Sequence, residues 1–349
     1  MFKRVIEEVS MDKKIGFLSF GNWNPGHGSQ VRTGREALVQ SVELAVAAEE
    51  LGLDGAFFRV HHFARQLAAP FPLLAAVAAR TSRIEIGTGV IDMRYENPLY
   101  MAEEAAITDL LSDGRLQLGI SRGSPETALR GASAFGYRFD DDGGAMARQH
   151  TELFRAAIDG AGVADADPRM TGGVTGRLGI QPRSEGLAER IWWGSGTRDT
   201  AVWTGQQGMN LMSSTLLTED TGIPFDELQA EQIARFRAAF ADAGWDREPR
   251  VSVSRSVMPV TTDEDRMYFG DRSGEDQVGI LDGMRSRFGK TYAGPPDQLA
   301  EELAKDAAVR EADTLLLTVP NMLGVDYNAR LLETVVREVA PAIGWTPKH

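Results

Sequence analysis

The chain has 349 residues, no cysteine and a formal net charge of −13. Without cysteine it has no disulfide, thiolate metal site or cysteine nucleophile, and its acidic balance argues against a nucleic-acid surface, which needs clustered lysine and arginine. No apolar run reaches the ~18 residues of a membrane helix, and residues 1–14 lack the apolar core of a signal peptide, so we expect a cytoplasmic protein.

Short apolar runs alternate with longer amphipathic segments, which is the pattern of βα units around a parallel sheet. In chain order, the predicted strands are 15–20, 55–60, 84–88, 115–121, 191–194, 209–212, 251–260 and 314–319. The predicted helices are 35–51, 70–80, 98–111, 148–158, 199–207, 225–243, 296–308 and 328–340. Eight such units predict an α/β fold, a single TIM (β/α)8 barrel over residues 1–349, with chemistry at the carboxyl ends of its strands.

Two segments interrupt the regular alternation. Residues 123–189 are rich in Gly, Asp and Arg and predict an insertion at the carboxyl-terminal face, while residues 263–290 are charged and predict a mobile lid. The main alternative fold is a doubly wound open sheet, which usually binds its cofactor through a Gly-rich first turn. Here the first turn, from Gly21 to Gly26, lacks the GxGxxG spacing, so the pattern favours the barrel.

The second predicted strand ends on His61 and His62. Successive strand residues point to opposite faces, so we expect one of the two to face a pocket directly. An imidazole with a pKa near 6.5 suits proton transfer or hydrogen bonding to an anion. The alternative is one core histidine beside one surface histidine. Two histidines without a nearby carboxylate pattern make a weak metal site, so we predict no metal.

The third and fourth strands end on Gly89-Val90 and on Ser121-Arg122. Glycine at a strand end lets the backbone approach a flat ligand closely, although it also serves ends with unusual dihedral angles. An arginine at the end of an apolar strand is costly unless it meets an anion, and its planar fork suits phosphate. The alternative is an internal salt bridge to an Asp or Glu.

The fifth strand ends on Ser195-Gly196-Thr197, with Thr200 one turn into the following helix. Free backbone N–H groups, hydroxyl donors and the helix dipole make such an end a phosphate cradle. The alternative is an ordinary N-cap by Ser195 or Thr197. Taken together, the four strand ends predict a planar, phosphate-bearing cofactor lying across the barrel mouth.

Four motifs carry a family resemblance: Val60-His61-His62-Phe63, Gly87-Thr88-Gly89, the DLLSDGR block at 109–115, and Ser121-Arg122-Gly123. With these motifs the chain resembles the bacterial luciferase-like flavin monooxygenases, particularly the luciferase alpha subunit. The similarity covers 15–136 and 191–212 and recurs weakly at 292–306. It implies a TIM barrel that binds reduced flavin at its carboxyl face.

The resemblance also implies roles for individual residues. His61 matches the catalytic histidine with His62 as its neighbour, a non-proline cis peptide is expected at Gly89-Val90, and Arg122 matches the arginine that binds the flavin phosphate. Ser121 stands where luciferase itself has a reactive cysteine. The expected cofactor-binding residues are Gly89, Val90, Ser121, Arg122, Ser195, Gly196, Thr197 and Thr200.

The implied reaction uses reduced FMN from a separate flavin reductase and O2, through a C4a-peroxyflavin that His61 stabilises or protonates, to oxygenate a small, mostly apolar substrate. We expect Phe20, Trp23 and Trp193 to line the substrate site, and a homodimer formed through the helices after strands two and three, with faces such as 74–79. The alternatives are F420-dependent hydride transfer on the same fold and a flavin-binding relative without turnover. A metal-dependent barrel hydrolase lacks its ligands.

Overall fold

The computed structural model describes residues 13–123, 127–139, 141–219, 221–270, 274–281 and 284–347. Strands β1 to β6 pair in sequence order, β6 pairs with β7, and β7 and β8 return the sheet to β1, all in parallel. The strands are β1 Lys14–Ser19, β2 Gly55–Phe58, β3 Glu85–Thr88, β4 Leu116–Ser121, β5 Ile191–Ser195, β6 Asn210–Ser213, β7 Val251–Pro259 and β8 Thr314–Val319. This closed eight-stranded barrel confirms the predicted TIM fold.

The helices are α1 Gly34–Glu50, α2 Pro70–Ala78, α3 Pro98–Leu111, α4 Gly144–Ile158, α5 Arg198–Gln206, α6 Phe225–Asp242, α7 Asp263–Phe269, α8 Pro296–Lys305, α9 Ala307–Glu311 and α10 Val325–Thr334. Local sequence explains where they begin. A capping box of Thr33 and Glu36 opens α1, and Asn97 caps α3 directly before Pro98.

Two predicted helices are less regular than their apolar periodicity suggested. The helix expected at 296–308 breaks at Asp306, whose carboxylate accepts the Val309 N–H at 2.8 Å and so starts α9. The same carboxylate accepts hydrogen bonds from Arg255 and Tyr292, so tertiary contacts hold it in place. The helix expected at 328–340 begins earlier, as α10, and continues as the π-helical turn Val335–Val339.

Alternation along the strands separates two apolar layers. The smaller layer fills the barrel and consists of Leu18, Phe57, Trp192, Met212 and Leu316, with Phe20 and Val90 partly buried against it. The larger layer packs the barrel against its helices. At the amino-terminal end, Glu85 pairs with both Lys14 and Arg250, the latter at 2.9 Å. Charged side chains therefore cover that end of the interior, and the opposite, carboxyl end of the strands is the barrel mouth.

The insertion predicted at 123–189 contains α4, which packs on α3, and a hairpin of Ala164–Asp165 with Arg177–Leu178. Its residues 124–126 and 140 lie outside the described residues. The segment predicted as a lid contains α7 and the antiparallel strands Gln277–Leu281 and Met284–Phe288, the second of which pairs with Leu216–Leu217. Its residues 271–273 and 282–283 also lie outside, and its motion stays a prediction.

Helices that could span a membrane are absent from the described part of the chain, because none is both long and apolar enough.

Candidate functional site

Three strand ends meet around Val90 at the barrel mouth. The Gly89–Val90 peptide is cis, as the family resemblance led us to expect. A Cβ added at Gly119 would lie 3.1 Å from Val90 Cγ1, and one at Gly194 would lie 3.2 Å from the same atom and 3.5 Å from Ser121 Cβ. The glycines therefore leave the space that Val90 fills, and the ends of β3, β4 and β5 are in contact.

Gly89 joins this group to the opposite wall. A Cβ at Gly89 would come within 2.9 Å of Leu18 Cδ1 and 3.6 Å of Met212 Sδ, which belong to β1 and β6. The cis peptide thus lies directly over the apolar interior of the barrel. Phe20 packs on that interior as well, which agrees with its expected place at the mouth.

The expectation that Trp193 lines the substrate site is wrong. Its side chain is fully buried on the outer face of the barrel and meets Trp203 of α5 edge-on, with ring centroids 4.8 Å apart. Its neighbour Trp192 points inward and donates to Gln117 Oε1 at 2.9 Å. Strand alternation sends adjacent side chains to opposite faces, so only one member of this pair can face the interior. The ring of Trp23 packs near Gly34 at the start of α1.

Arg59 and His61 follow directly after β2, in positions that alternate with Val60 and continue the inward-facing side of Phe57. The Arg59 Nε donates to His61 Nε2 at 2.8 Å, and its guanidinium lies 4.7 Å from the centre of the Phe20 ring. Because guanidinium only donates, His61 Nε2 accepts and Nδ1 carries the ring proton. Burial first, and then the charge of Arg59, lower the pKa of His61 to about 4, against the opposing charge of Asp92. The imidazole is therefore neutral at pH 7.

His62 lies in an aromatic cluster outside this arrangement. It stacks on Tyr95 with ring centroids 4.2 Å apart and meets Phe135 edge-on at 5.1 Å. Its Nε2 is buried with no hydrogen-bond partner within the described ranges, and burial lowers its pKa while Asp92 opposes that shift. Of the two adjacent histidines, only His61 bonds to a residue of the barrel mouth.

Arg122, at the end of β4, makes the salt bridge that the sequence left open as an alternative. Its Nη1 lies 3.3 Å from Asp142 Oδ2, and the two side chains are 52% and 67% exposed. An ion pair this exposed stabilises a protein by at most about 1 kcal/mol. Arg122 can therefore exchange this carboxylate for a phosphate at little cost.

At the end of β5, Thr197 is the N-cap of α5. Its Oγ1 accepts the Thr200 N–H at 3.1 Å and donates to Thr200 Oγ1 at 2.9 Å. The buried Ser195 donates its hydroxyl proton to the Thr197 carbonyl at 2.9 Å, and the Gly196 carbonyl accepts the Thr218 N–H. These bonds form the N-cap foreseen as the alternative, and cofactor contacts from this turn stay a prediction.

A carboxylate from the loop after β6 lies at the amino end of α5, which sequence reasoning missed. Glu219 Oε2 accepts the Arg198 N–H at 2.9 Å, and the Arg198 side chain pairs with Glu219 and with Glu231. Helix amino termini attract anions through free N–H groups and the dipole. Glu219 comes from a different βα unit, so no local motif predicted this contact.

Asp92 and Arg94 form a second group that the sequence did not single out. Arg94 Nη2 lies 2.6 Å from Asp92 Oδ2. A Cβ at Gly123 would come within 2.3 Å of Arg94 Nη2, and one at Gly143 within 2.9 Å of Arg94 Cδ. Arg94 therefore packs against both the residue after Arg122 and the residue after Asp142. The sequence signal for this packing was the glycine at 123 and at 143, and both glycines have positive φ.

Groups of three or more His, Asp or Glu side chains suited to a metal ion are absent among the residues that the structure describes.

Comparison with known proteins places these features in a family context. The model of the luciferase-like monooxygenase family matches residues 15–268. The chain is 34% identical over 98 residues to the oxygenase component of a flavin-dependent trigonelline monooxygenase from Acinetobacter baylyi, covering 28% of this chain and 27% of that protein. It is 36% identical over 137 residues to an F420-dependent glucose-6-phosphate dehydrogenase from Kribbella flavida, covering 36% and 40%. The chain thus aligns with less than half the length of these curated relatives.

Solved structures extend the likeness across the whole chain. The oxygenating constituent of 3,6-diketocamphane monooxygenase from Pseudomonas putida, in complex with FMN, superposes with a TM-score of 0.67. The match covers 95% of this chain and 99% of that one at 16% sequence identity. At this identity the similarity establishes the fold alone.

Proposed function

The chain belongs to the luciferase-like monooxygenase family, and from that premise we propose that it is a flavin-dependent monooxygenase that uses reduced FMN and O2 to oxygenate a small organic substrate. The observation that carries the proposal is the mouth itself, where the Gly89–Val90 segment lies over an apolar interior and a neutral His61 follows the neighbouring strand. A ring system can stack on such a wall with a hydrogen-bond donor at its edge.

The residues at the phosphate end fit FMN. Arg122 and the amino end of α5 both hold carboxylates, Asp142 and Glu219, so both already attract anions. A phosphate carries nearly two negative charges and three acceptor oxygens. Exchange of either carboxylate for the FMN phosphate would form stronger charge-assisted hydrogen bonds.

Reduced flavin supplies the two electrons of the reaction, in which one oxygen atom enters the substrate and the other leaves as water. With the cofactor bound, His61 would offer the Nδ1–H as a hydrogen-bond donor to negative charge that develops on oxygen, and its low pKa argues against a stored proton at pH 7. The family resemblance implied that His61 stabilises or protonates the oxygen intermediate, and the proposal keeps only stabilisation. Leu18, Phe20 and Val90 exclude water from the reacting atoms.

The charge at the phosphate end suits either cofactor, because Asp142, Glu219 and Glu231 are each paired with Arg122 or Arg198. FMN is the first candidate because Arg122 and the amino end of α5 together suit a single phosphate. The F420-dependent relative keeps hydride transfer as the second candidate, and a flavin-binding protein without turnover is the third.

A separate flavin reductase is part of the proposal, in line with a relative described as an oxygenase component. We also propose a homodimer. Within the predicted face at 74–79, Leu74, Val77 and Ala78 are buried in this chain, and Ala76 and Ala79 are exposed. Four large exposed apolar side chains lie together on α3, the helix after strand three, at Tyr100, Ile107, Leu110 and Leu111. In the proposed dimer, a second copy of this chain packs against the exposed apolar face of α3.

The decisive experiment is an anaerobic calorimetric titration with FMN, reduced FMN and F420, followed by a substrate screen with a flavin reductase present. Preferential binding of reduced FMN, with substrate-dependent oxygen incorporation from 18O2, supports the proposal. Tight F420 binding with weak FMN binding assigns hydride transfer instead. Binding of neither cofactor overturns the proposed function.

A further inference from the structure

Arg59 places a positive charge inside the apolar mouth. Its N–H donates to the Ser19 carbonyl at 2.9 Å, so the register of β2 with β1 continues to this residue. Phe57, two residues earlier, belongs to the interior layer, and Phe20, under the guanidinium, packs on the same layer. The Arg59 side chain therefore projects toward the space above the barrel interior.

Among the described residues, no carboxylate lies within salt-bridge distance of Arg59, and its Nε donates to the neutral His61. Other arginines at the mouth are paired, Arg94 with Asp92 and Arg122 with Asp142. Burial lowers the pKa of Arg59, and no carboxylate opposes that shift. A partly buried cation without a counter-ion is costly, and a bound anion removes that cost.

We propose that Arg59 binds a carboxylate of the substrate, so that the substrate is an organic acid with an apolar body; this rests on the proposed function. Nη1 and Nη2 make no protein hydrogen bond within the described part of the chain, and the guanidinium fork matches the two oxygens of a carboxylate. The apolar body packs against Phe20 and the interior layer. Since Arg59 contacts His61, the oxygenated atom lies only a few bonds from the carboxylate.

The test measures binding of matched acids and amides: benzoate against benzamide, and hexanoate against hexanamide, by calorimetry with and without bound FMN. We expect wild-type protein to bind each acid at least about tenfold more tightly than its amide, Arg59→Met to lose this preference, and Arg59→Lys to retain part of it. The matched control is Arg65→Met on the same loop, because Arg65 is exposed. It keeps the wild-type preference.

Several outcomes overturn the proposal. One is equal binding of acid and amide by wild-type protein, and another is a preference that survives in Arg59→Met with the fold intact by circular dichroism. In a third, wild-type protein shows no preference for acids, and Arg59→Met loses affinity for reduced FMN but not for oxidised FMN. That result would assign the Arg59 cation to the cofactor. If FMN fails to bind while acids bind through Arg59, the proposed function fails and the anion site stands.

Discussion

The Nε of Arg59 donates to the Nε2 of His61 at 2.8 Å, so these two side chains, directly after β2, share one hydrogen bond and carry one positive charge between them. The contact assigns the proton of the neutral imidazole to Nδ1. Together with burial it makes His61 a fixed, neutral hydrogen-bond donor at the barrel mouth.

Arg59→Met is expected to raise the pKa of His61 above about 4, because the variant removes the adjacent cation and the donor that favours the neutral ring. Burial and His62 still lower that pKa, and Asp92 still opposes them. Imidazole 15N NMR across pH 4–8 measures the titration and reports the Nδ1–H tautomer in wild type. An unchanged His61 titration would contradict the assignment.

His61→Ala is expected to keep FMN affinity within a few-fold of wild type while oxygen use is diverted from substrate to hydrogen peroxide. The variant removes a hydrogen-bond donor that acts where negative charge develops, an effect of about 10²-fold or more on rate in comparable sites. Product and peroxide formed per reduced FMN are the measurements. His62→Ala is the matched variant, because His62 stacks on Tyr95 and the Arg59 Nε bonds to His61 instead. Unchanged product yield in His61→Ala would remove this role.

Arg122→Ala is expected to weaken FMN binding by about tenfold or more and riboflavin binding much less, since only FMN carries the phosphate. Glu219→Gln is expected to act in the opposite direction and tighten FMN binding, because it removes the carboxylate charge at the amino end of α5. Calorimetry with both flavins distinguishes the two effects. Equal losses for FMN and riboflavin in Arg122→Ala would refute the phosphate assignment.

Asp306→Asn is expected to lower the free energy of unfolding by about 3–5 kcal/mol at pH 7, because it leaves the buried Arg255 without its counter-ion. Burial alone would raise the pKa of Asp306, but Arg255 and the hydrogen bond from Tyr292 outweigh it and hold the pKa below 3.8. A depressed pKa stabilises the fold above the unfolded value and loses that effect as pH falls through the folded value.

The difference between wild type and Asp306→Asn should therefore shrink below pH 4. Urea unfolding between pH 7 and pH 3 measures it. Asp142→Asn is the control, since its ion pair with Arg122 is exposed and its loss costs at most about 1 kcal/mol. A difference that stays constant with pH would show that the charge of Asp306 is not what stabilises the fold.

Ile107→Lys is expected to convert a dimer into a monomer, because it places a charge in the exposed apolar face of α3. Light scattering after size-exclusion chromatography gives the mass of each species. Leu129→Lys, at a fully exposed side chain that is not part of α3, should remain dimeric. A monomeric wild type, or a dimeric Ile107→Lys, would exclude this face as the interface.

Local patterns in the chain were enough to predict the barrel and the strand ends that meet at its carboxyl end. Apolar period and turn residues locate strands such as Thr314–Val319 and helices such as Pro98–Leu111 at the observed bounds, because these signals act between neighbours in sequence. The rule that parallel strands end at one edge then brings Gly89, Val90 and Ser121 together.

Tertiary structure alone decided the partners of those residues. The break at Asp306, the approach of Glu219 to α5 and the packing of Arg94 against Gly123 and Gly143 join residues from different βα units. Even the contact between Arg59 and His61, two residues apart, depends on tertiary structure. The two side chains meet because the chain stays extended beyond Phe58, the last residue of β2 that pairs with β1. Such contacts depend on which surfaces the closed barrel brings within hydrogen-bonding distance. The conformational preferences of neighbouring residues do not determine these long-range distances.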